Sequence, residues 1–140
     1  MNFTGKVLLA DDEPHIRKFI GLVLKRLGQP AIFEAANGQE AVAQFKLHHP
    51  DLVLLDVNMP VMDGVQALAQ IREADPEAVV IMLTSLTNRQ TVEQCAALGA
   101  LDYVRKDMPR DEMIAHLGQI VEDCFGTGDA AVAPAGNSVP

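Results

Sequence analysis

Two apolar runs of the chain end in carboxylates. Val7–Ala10 is followed by Asp11 and Asp12, and Leu52–Leu55 is followed by Asp56. A carboxylate that closes a uniformly hydrophobic segment is expected at the rim of a sheet, because an ionised group is costly to bury in the core. At the rim it is free to react. The sequence therefore predicts that these three carboxylates share one pocket.

Three neighbouring carboxylates repel one another and would bind protons unless a cation neutralised them. Mg²⁺ suits such a site, since it accepts oxygen ligands, keeps several waters and is commonly held by one or two carboxylates together with a phosphate. We predict that Asp12, Asp56 and a backbone carbonyl near Asn58 bind Mg²⁺, with Asp11 acting through water. Calcium is less favoured because it prefers more protein oxygens.

Two further apolar runs end in groups that could hold a phosphate. Val79–Leu83 is followed by Thr84, and Tyr103–Arg105 is followed by Lys106. Phosphoryl transfer needs an in-line nucleophile and charge neutralisation more than it needs acid-base groups. We expect Asp56 to attack, Lys106 and Mg²⁺ to hold phosphoryl oxygens, and the Thr84 hydroxyl to donate a hydrogen bond to one of them. The product would be an acyl phosphate.

Strand and helix signals alternate five times along the chain, which predicts a (βα)5 arrangement. The strands are apolar on both faces and are separated by helices, a pattern typical of a parallel sheet covered on both sides. The predicted strands are Val7–Ala10, Ala31–Ala35, Leu52–Asp56, Val79–Leu83 and Tyr103–Arg105. Ligand sites of such folds lie outside the carboxyl ends of the strands, where the polar residues above are predicted.

Cap residues mark the predicted helix boundaries. Pro14 should open the first helix and Gly28 should end it. Asn37 with Glu40, and Thr87 with Gln90, have the spacing of capping boxes for the second and fourth helices. For the fifth helix, Pro109 suits the first helical position, the acids Asp111 and Glu112 suit the first turn, and Gly126 should end it.

Length and composition narrow the classes of protein. The 140 residues are sufficient for one domain, which we place at 1–125, with a disordered tail or the start of a linker at 126–140. The formal charge of −8, without a basic run, argues against direct binding of nucleic acid. No apolar stretch is long enough to cross a bilayer, and the first residues do not form a secretory signal. A cytoplasmic location is expected.

Five motifs together resemble the receiver domain of bacterial response regulators in two-component signalling, of the chemotaxis-regulator type. The resemblance extends over roughly residues 5 to 125, with the motifs in order and at consistent spacing. The motifs are Leu8–Glu13, Pro50–Asp56, Met59–Gly64, Leu83–Ser85 and Gly99–Lys106. The fold implied by the resemblance is α/β, a doubly wound, flavodoxin-like sheet of five parallel strands in the order 2-1-3-4-5.

The resemblance also implies roles for individual residues. Asp56 would be the phospho-acceptor, Asp11 and Asp12 the metal pair, and Lys106 the phosphate-contacting lysine. Thr84 and Tyr103 would be the two residues that rearrange on phosphorylation. The protein would then be a signalling switch that assists its own phosphotransfer and dephosphorylation rather than a turnover enzyme.

Partners follow from the same resemblance. The phosphoryl donor would be a phosphohistidine on a sensor histidine kinase or a histidine phosphotransfer protein. A downstream protein would bind the face formed by the fourth helix, the fifth strand and the fifth helix. The sequence leaves open whether phosphorylation also drives formation of a homodimer.

One departure from the family pattern concerns the lysine. The family usually has proline directly after it, joined by a cis bond, whereas here Lys106 is followed by Asp107. A cis bond before a non-proline residue costs about 2.5 to 4 kcal/mol. We therefore predict a trans Lys106–Asp107 bond and a shifted loop.

Two other functions compete with this interpretation. A phosphohydrolase with an aspartyl-phosphate intermediate would usually have a second Asp two positions after its nucleophile, but Asn58 stands there. A receiver-like adaptor that is never phosphorylated would not need the acidic pair together with Asp56, Thr84 and Lys106. The sequence therefore favours the phosphorylated switch.

Overall fold

The computed structural model of the protein describes residues 2–85 and 89–126. Five strands alternate with five helices along the described chain, as predicted. The strands are β1 (Lys6–Ala10), β2 (Ala31–Ala35), β3 (Leu52–Asp56), β4 (Val80–Thr84) and β5 (Asp102–Arg105). The helices are α1 (Pro14–Lys25), α2 (Gly38–His48), α3 (Gly64–Ala74), α4 (Arg89–Ala97) and α5 (Arg110–Phe125).

The strands form one parallel sheet in the order β2-β1-β3-β4-β5. β3 and β4 are buried along their whole length, because helices cover both faces of the sheet. The structure thus confirms the predicted doubly wound, flavodoxin-like (βα)5 fold and its strand order. All five strands point their carboxyl ends at the same edge.

Alternate residues of each strand face two separate hydrophobic cores. The core between the sheet, α1 and α5 includes Leu9, Leu54, Leu83, Ile20, Val23, Met113 and Leu117. The core on the opposite face, against α2, α3 and α4, includes Leu8, Leu55, Met82, Phe45, Leu68, Ile71 and Cys95. These cores hold the strand ends in register, so the residues that follow the strands occupy defined positions.

The predicted helix caps agree with the structure only in part. The Asn37 side chain caps α2 by accepting from the Glu40 backbone N–H, as predicted, but the Glu40 carboxylate accepts from the N–H of Ala36 instead of closing the box on Asn37. The prediction for Pro109 was wrong by one position: this residue is the N-cap, and α5 begins at Arg110. The fixed backbone angle of proline suits either position at a helix start.

Three further predictions concern the ends of the helices α1, α4 and α5. α1 ends at Lys25, before the predicted stop at Gly28. Thr87, the predicted cap of α4, lies outside the described residues. α5 ends at Phe125 with Gly126 as its C-cap, as predicted, and the remainder of the predicted tail, 127–140, also lies outside them.

Among residues 2–85 and 89–126, no helix is both long enough and apolar enough to span a membrane.

Candidate functional site

The carboxyl edge of the sheet brings the predicted site residues together. Asp11 directly follows β1, Asp56 ends β3, and Thr84 ends β4. Lys106 directly follows β5, and its backbone N–H donates to the Thr84 carbonyl at 2.7 Å, which extends the β4–β5 pairing up to the lysine. All three polar groups Asp11, Asp56 and Thr84 are buried.

The Lys106 ammonium lies at the centre of this site. Its Nζ is 2.8 Å from Asp11 Oδ2 and 3.2 Å from Asp56 Oδ2. The lysine side chain is 8% exposed, and the two carboxylates are 0% and 3% exposed. Burial strengthens the attraction between these charges but also costs their hydration, so removal of the ammonium would leave buried carboxylates without compensation.

A third carboxylate, which the sequence did not predict, pairs with Lys106. Glu13 Oε1 accepts a hydrogen bond from Lys106 Nζ at 3.0 Å, across 93 positions of the chain. Glu13 is the N-cap residue of α1, and its own N–H donates to Asp11 Oδ1 at 2.9 Å. Its place directly after the acidic pair was the only sequence signal for this role.

The pKa of Asp56 reflects its burial first and its charged neighbours second. Burial and then the Asp11 charge raise the pKa of Asp56 to about 7, and the Lys106 ammonium and the Asn58 backbone N–H only partly oppose the rise. The Asn58 N–H donates to Asp56 Oδ1 at 3.3 Å. Without a cation, the Asp56 carboxyl is therefore near its midpoint of ionisation at neutral pH.

The charge state of Lys106 is set by its partners. Burial alone would lower the pKa of Lys106, but hydrogen bonds to Asp11 and Glu13 and the charges of Asp56 and Asp11 outweigh it, so that the pKa lies above its usual value. The hydrogen bond that Lys106 donates to Glu13 also lowers the pKa of Glu13. Lys106 thus stays positively charged over the whole physiological range of pH.

The donor set of the pocket fits a divalent cation. Oxygen atoms of Asp11, Asp12 and Asp56 all lie within 4.8 Å of one another. A hard cation such as Mg²⁺ binds carboxylate oxygens of this kind, and it would relieve the repulsion that raises the pKa of Asp56. The structure therefore places the three predicted carboxylates together. It places Asn58 beside them through its backbone, with an exposed side chain.

The loop after Asp56 is held by its own backbone. Met62 N–H donates to the Pro60 carbonyl at 2.7 Å, around Val61 with a φ of 69°, which together make a tight three-residue turn. Gly64 N–H then donates to the Val57 carbonyl at 2.8 Å. A Cβ on Gly64 would come within 2.0 Å of the Asp56 carbonyl oxygen, so the close return of the chain requires glycine.

Gly64→Ala is accordingly expected to destabilise the protein by about 1 to 3 kcal/mol, because the new methyl group overpacks against backbone rather than a flexible side chain. Gly21→Ala is the matched control. No atom lies within 4 Å of a Cβ there, and alanine in the middle of α1 should stabilise by about 0.5 to 1 kcal/mol. Urea denaturation should show a lower free energy of unfolding for Gly64→Ala and a higher one for Gly21→Ala. Equal changes in the two variants would contradict the role of Gly64.

Thr84 and Tyr103, the predicted switch pair, are neighbours in the structure. The Tyr103 ring packs against the core that faces α4. Burial raises the pKa of its phenol, and the nearby Thr84 side chain opposes the rise. A movement of one of these two residues would therefore change the surroundings of the other.

The Lys106–Asp107 peptide bond is trans, as predicted, and the described residues contain no cis bond. Asp107 is held by Arg105, whose Nε and Nη2 donate to its two carboxylate oxygens at 3.0 and 2.8 Å. This bidentate pair lies on the surface, with side chains 51% and 64% exposed. The predicted shift of the loop stays a prediction.

Comparison with known proteins agrees with this geometry. The family model of the response regulator receiver domain matches residues 7–118. The chemotaxis protein CheY of Bacillus subtilis is 35% identical over 109 residues, which cover 78% of this chain and 91% of that protein. The transcriptional regulatory protein PdtaR of Mycobacterium tuberculosis is 38% identical over 109 residues, 78% of this chain and 53% of that protein.

Solved structures show the same fold. The CheX-CheY-BeF3-Mg complex from Borrelia burgdorferi matches with a TM-score of 0.77 and 34% identity over 82% of this chain and 87% of that chain. A CheY-like receiver domain protein from Methanospirillum hungatei has a TM-score of 0.80 over 90% of this chain and 100% of that chain, and at 21% identity it supports the fold alone.

The chain belongs to the response regulator receiver domain family of two-component systems. Among its relatives it is similar to the CheY proteins of chemotaxis, of which it spans nearly the whole length. Domains of this family work as signalling switches and bind Mg²⁺ at an acidic pocket.

Proposed function

We propose that this protein is a phosphorylation-activated switch in which Asp56 accepts the phosphoryl group. The observation that carries the proposal is the position of the Asp56 carboxylate: its Oδ2 lies 3.2 Å from the buried Lys106 ammonium, and one of its oxygens lies within 4.8 Å of two further carboxylates. An aspartate that only ended a strand would not need a buried ammonium and two further carboxylates beside it. A carboxylate nucleophile does need such neighbours, because negative charge on the transferred phosphoryl group has to be neutralised.

The donor in this proposal is a phosphohistidine of a sensor histidine kinase or a histidine phosphotransfer protein. An oxygen of the ionised Asp56 carboxylate attacks phosphorus, the N–P bond breaks, and its electron pair returns to the imidazole nitrogen. The new O–P bond makes an acyl phosphate. Lys106 donates hydrogen bonds to phosphoryl oxygens, and the Thr84 hydroxyl donates to another.

Asp11, Asp12, Asp56 and the backbone at Asn58 would hold Mg²⁺ in this proposal. When bound, the ion supplies neutralisation of charge on the carboxylates and on the phosphoryl oxygens. Asp56 has to be ionised to attack, and the raised pKa of this group explains why a pocket with three carboxylates needs such a partner.

The signal would leave the site through Thr84 and Tyr103. Thr84 moves toward the phosphoryl group, the Tyr103 ring turns inward, and the face made by α4, β5 and α5 changes its affinity for a downstream protein. Thr84 and Tyr103 lie on the paired strands β4 and β5, and this proximity supports the route. A cytoplasmic location, where the proposed donors would meet the protein, stays a prediction.

Incubation with a small acyl-phosphate donor tests the proposal. In Mg²⁺ the intact mass should rise by one phosphoryl group, and peptide mapping should locate the adduct at Asp56. With the metal chelated by EDTA, the adduct should be lost. No adduct in Mg²⁺ would favour the adaptor, and continuous hydrolysis of phosphate esters would favour the phosphohydrolase.

A further inference from the structure

Arg17 joins three elements beneath the acidic pocket. It lies on α1, and its Nη1 donates to the Asp11 backbone carbonyl at 2.6 Å. Its Nε donates to Glu34 Oε1 of β2 at 2.8 Å. The arginine side chain is only 18% exposed. A guanidinium that holds two acceptors at once is an oriented group rather than a solvated surface charge.

Asp11 has a partner at each of its polar atoms. Its N–H donates to the Ala35 carbonyl at 3.0 Å. Its Oδ1 accepts from Glu13 N–H, and its Oδ2 pairs with Lys106. Arg17 supplies the remaining partner, at the carbonyl oxygen. The same carbonyl belongs to the peptide unit that carries the nitrogen of Asp12, so Arg17 fixes the plane from which the next side chain projects.

Asp12 depends on that peptide plane more than its neighbours do. It is the exposed member of the three carboxylates. Within the described parts of the chain, no hydrogen bond to its carboxylate is found. No side-chain partner orients this carboxylate, so the part of Asp12 that is held in place is its backbone, through the Asp11 carbonyl bound by Arg17.

We propose that Arg17 is a positioning residue for the divalent-cation site, with Glu34 as the group that orients it. This inference rests on the proposed function, since it assumes that Asp12 and its neighbours bind Mg²⁺. Arg17 would act by holding the Asp11–Asp12 peptide, so that the Asp12 carboxylate points into the pocket before the ion arrives. Groups that orient metal ligands commonly affect affinity strongly.

The sign of the effect separates this role from simple electrostatics. Arg17→Met removes a positive charge near the pocket, and that change alone would tighten binding of a cation. Loss of positioning would weaken it. We expect Arg17→Met to weaken Mg²⁺ binding about 10-fold, measured by isothermal titration calorimetry on the folded, unphosphorylated protein.

Arg17→Lys tests the geometry with the charge kept. A lysine ammonium lacks the planar fork that donates to both Asp11 and Glu34, so affinity for Mg²⁺ should again fall severalfold. Glu34→Gln weakens the group that orients the guanidinium, so its affinity for Mg²⁺ should lie between that of the parent and that of Arg17→Lys. Lys18→Met is the control: it removes an exposed charge on the same helix, and its affinity should equal that of the parent or slightly exceed it.

Two results would overturn the inference. One is tighter or unchanged binding by Arg17→Met, and the other is unchanged binding by Arg17→Lys. A lower melting temperature with unchanged affinity would assign Arg17 a purely structural role and would count against the proposal. Failure of the proposed function has a different signature: the parent itself would not bind Mg²⁺, or Asp12→Asn would bind it as well as the parent.

Discussion

Asp56→Asn is expected to abolish the phosphoryl adduct and, in metal-free protein, to raise the melting temperature by roughly 10 °C at pH 8. The chemical effect follows because an amide is not a nucleophile toward phosphorus. The gain in stability follows because burial and the Asp11 charge both disfavour the ionised Asp56 in the folded state. Asparagine keeps the shape of the side chain and removes that charge.

The pH dependence of this gain has a definite sign. The pKa of Asp56 is about 7 in the folded protein, against an ordinary value of 3.8. The folded state thus binds the proton more tightly than the unfolded chain, and the contribution of Asp56 to the free energy of unfolding falls as pH rises between these values. The advantage of Asp56→Asn should be small at pH 4 and grow to on the order of 2 to 4 kcal/mol above pH 7.

Thermal and urea denaturation in EDTA from pH 4 to pH 8 measures this prediction. Asp123→Asn, an exposed change near the end of α5, is the control and should stay within about 0.5 kcal/mol of the parent at every pH. Saturating Mg²⁺ should shrink the difference, because binding stabilises the folded parent. An advantage that is independent of pH, or a persistent adduct on Asp56→Asn, would contradict the assignment of this residue.

Lys106→Met should have the opposite effect on stability. Methionine keeps the apolar stem and removes the ammonium that neutralises two buried carboxylates, Asp11 and Asp56. Breaking a buried ion pair by removing one partner typically costs about 3 to 5 kcal/mol, because a buried charge is left uncompensated. We expect a loss of about 3 kcal/mol at pH 8, together with a lower yield of phosphoryl adduct.

The loss should be smaller at pH 5, because Asp56, with a pKa of about 7, is already protonated in the folded parent and adds no uncompensated charge when the ammonium is removed. In the double variant Lys106→Met and Asp56→Asn, part of the loss should be recovered, and the non-additivity measures the coupling between the two groups. Lys18→Met is again the control, since this lysine is exposed on α1. A loss below about 1 kcal/mol, or one equal at pH 5 and pH 8, would show that the ammonium is not compensating buried charge.

Much of the fold was predictable because hydrophobic patterning and topology agree. The uninterrupted apolar runs at β3 and β4 indicated strands buried on both faces, and the structure has both strands fully buried. Helix ends were less certain: the carboxylate of Glu40 caps Ala36 rather than Asn37, and Pro109 stands one position outside α5. Local cap signals are compatible with neighbouring positions, and packing selects among them.

The site was predictable to the level of its carboxylates and its lysine. The parallel sheet takes the residues after β1, β3, β4 and β5 to one edge, so Asp56 and Lys106 could be placed together across 50 positions of the chain. Glu13 and Arg17 could not be placed in this way. Glu13 is the N-cap of α1 and Arg17 lies in its first turns, and whether a side chain at the start of a helix turns toward the site depends on the neighbours that the fold supplies.

By itself, then, the sequence determined the alternation of five strands with five helices, the edge that carries the chemistry and the residue types available there, because these depend on periodicity and chain connectivity; the order of the strands in the sheet followed only from the family resemblance. Only the tertiary structure decided which acceptors share the Lys106 ammonium, how far burial raises the pKa of Asp56, and that Arg17 holds the Asp11 carbonyl. Those properties depend on distances of a few ångströms between distant segments, to which electrostatic and hydrogen-bond energies are most sensitive.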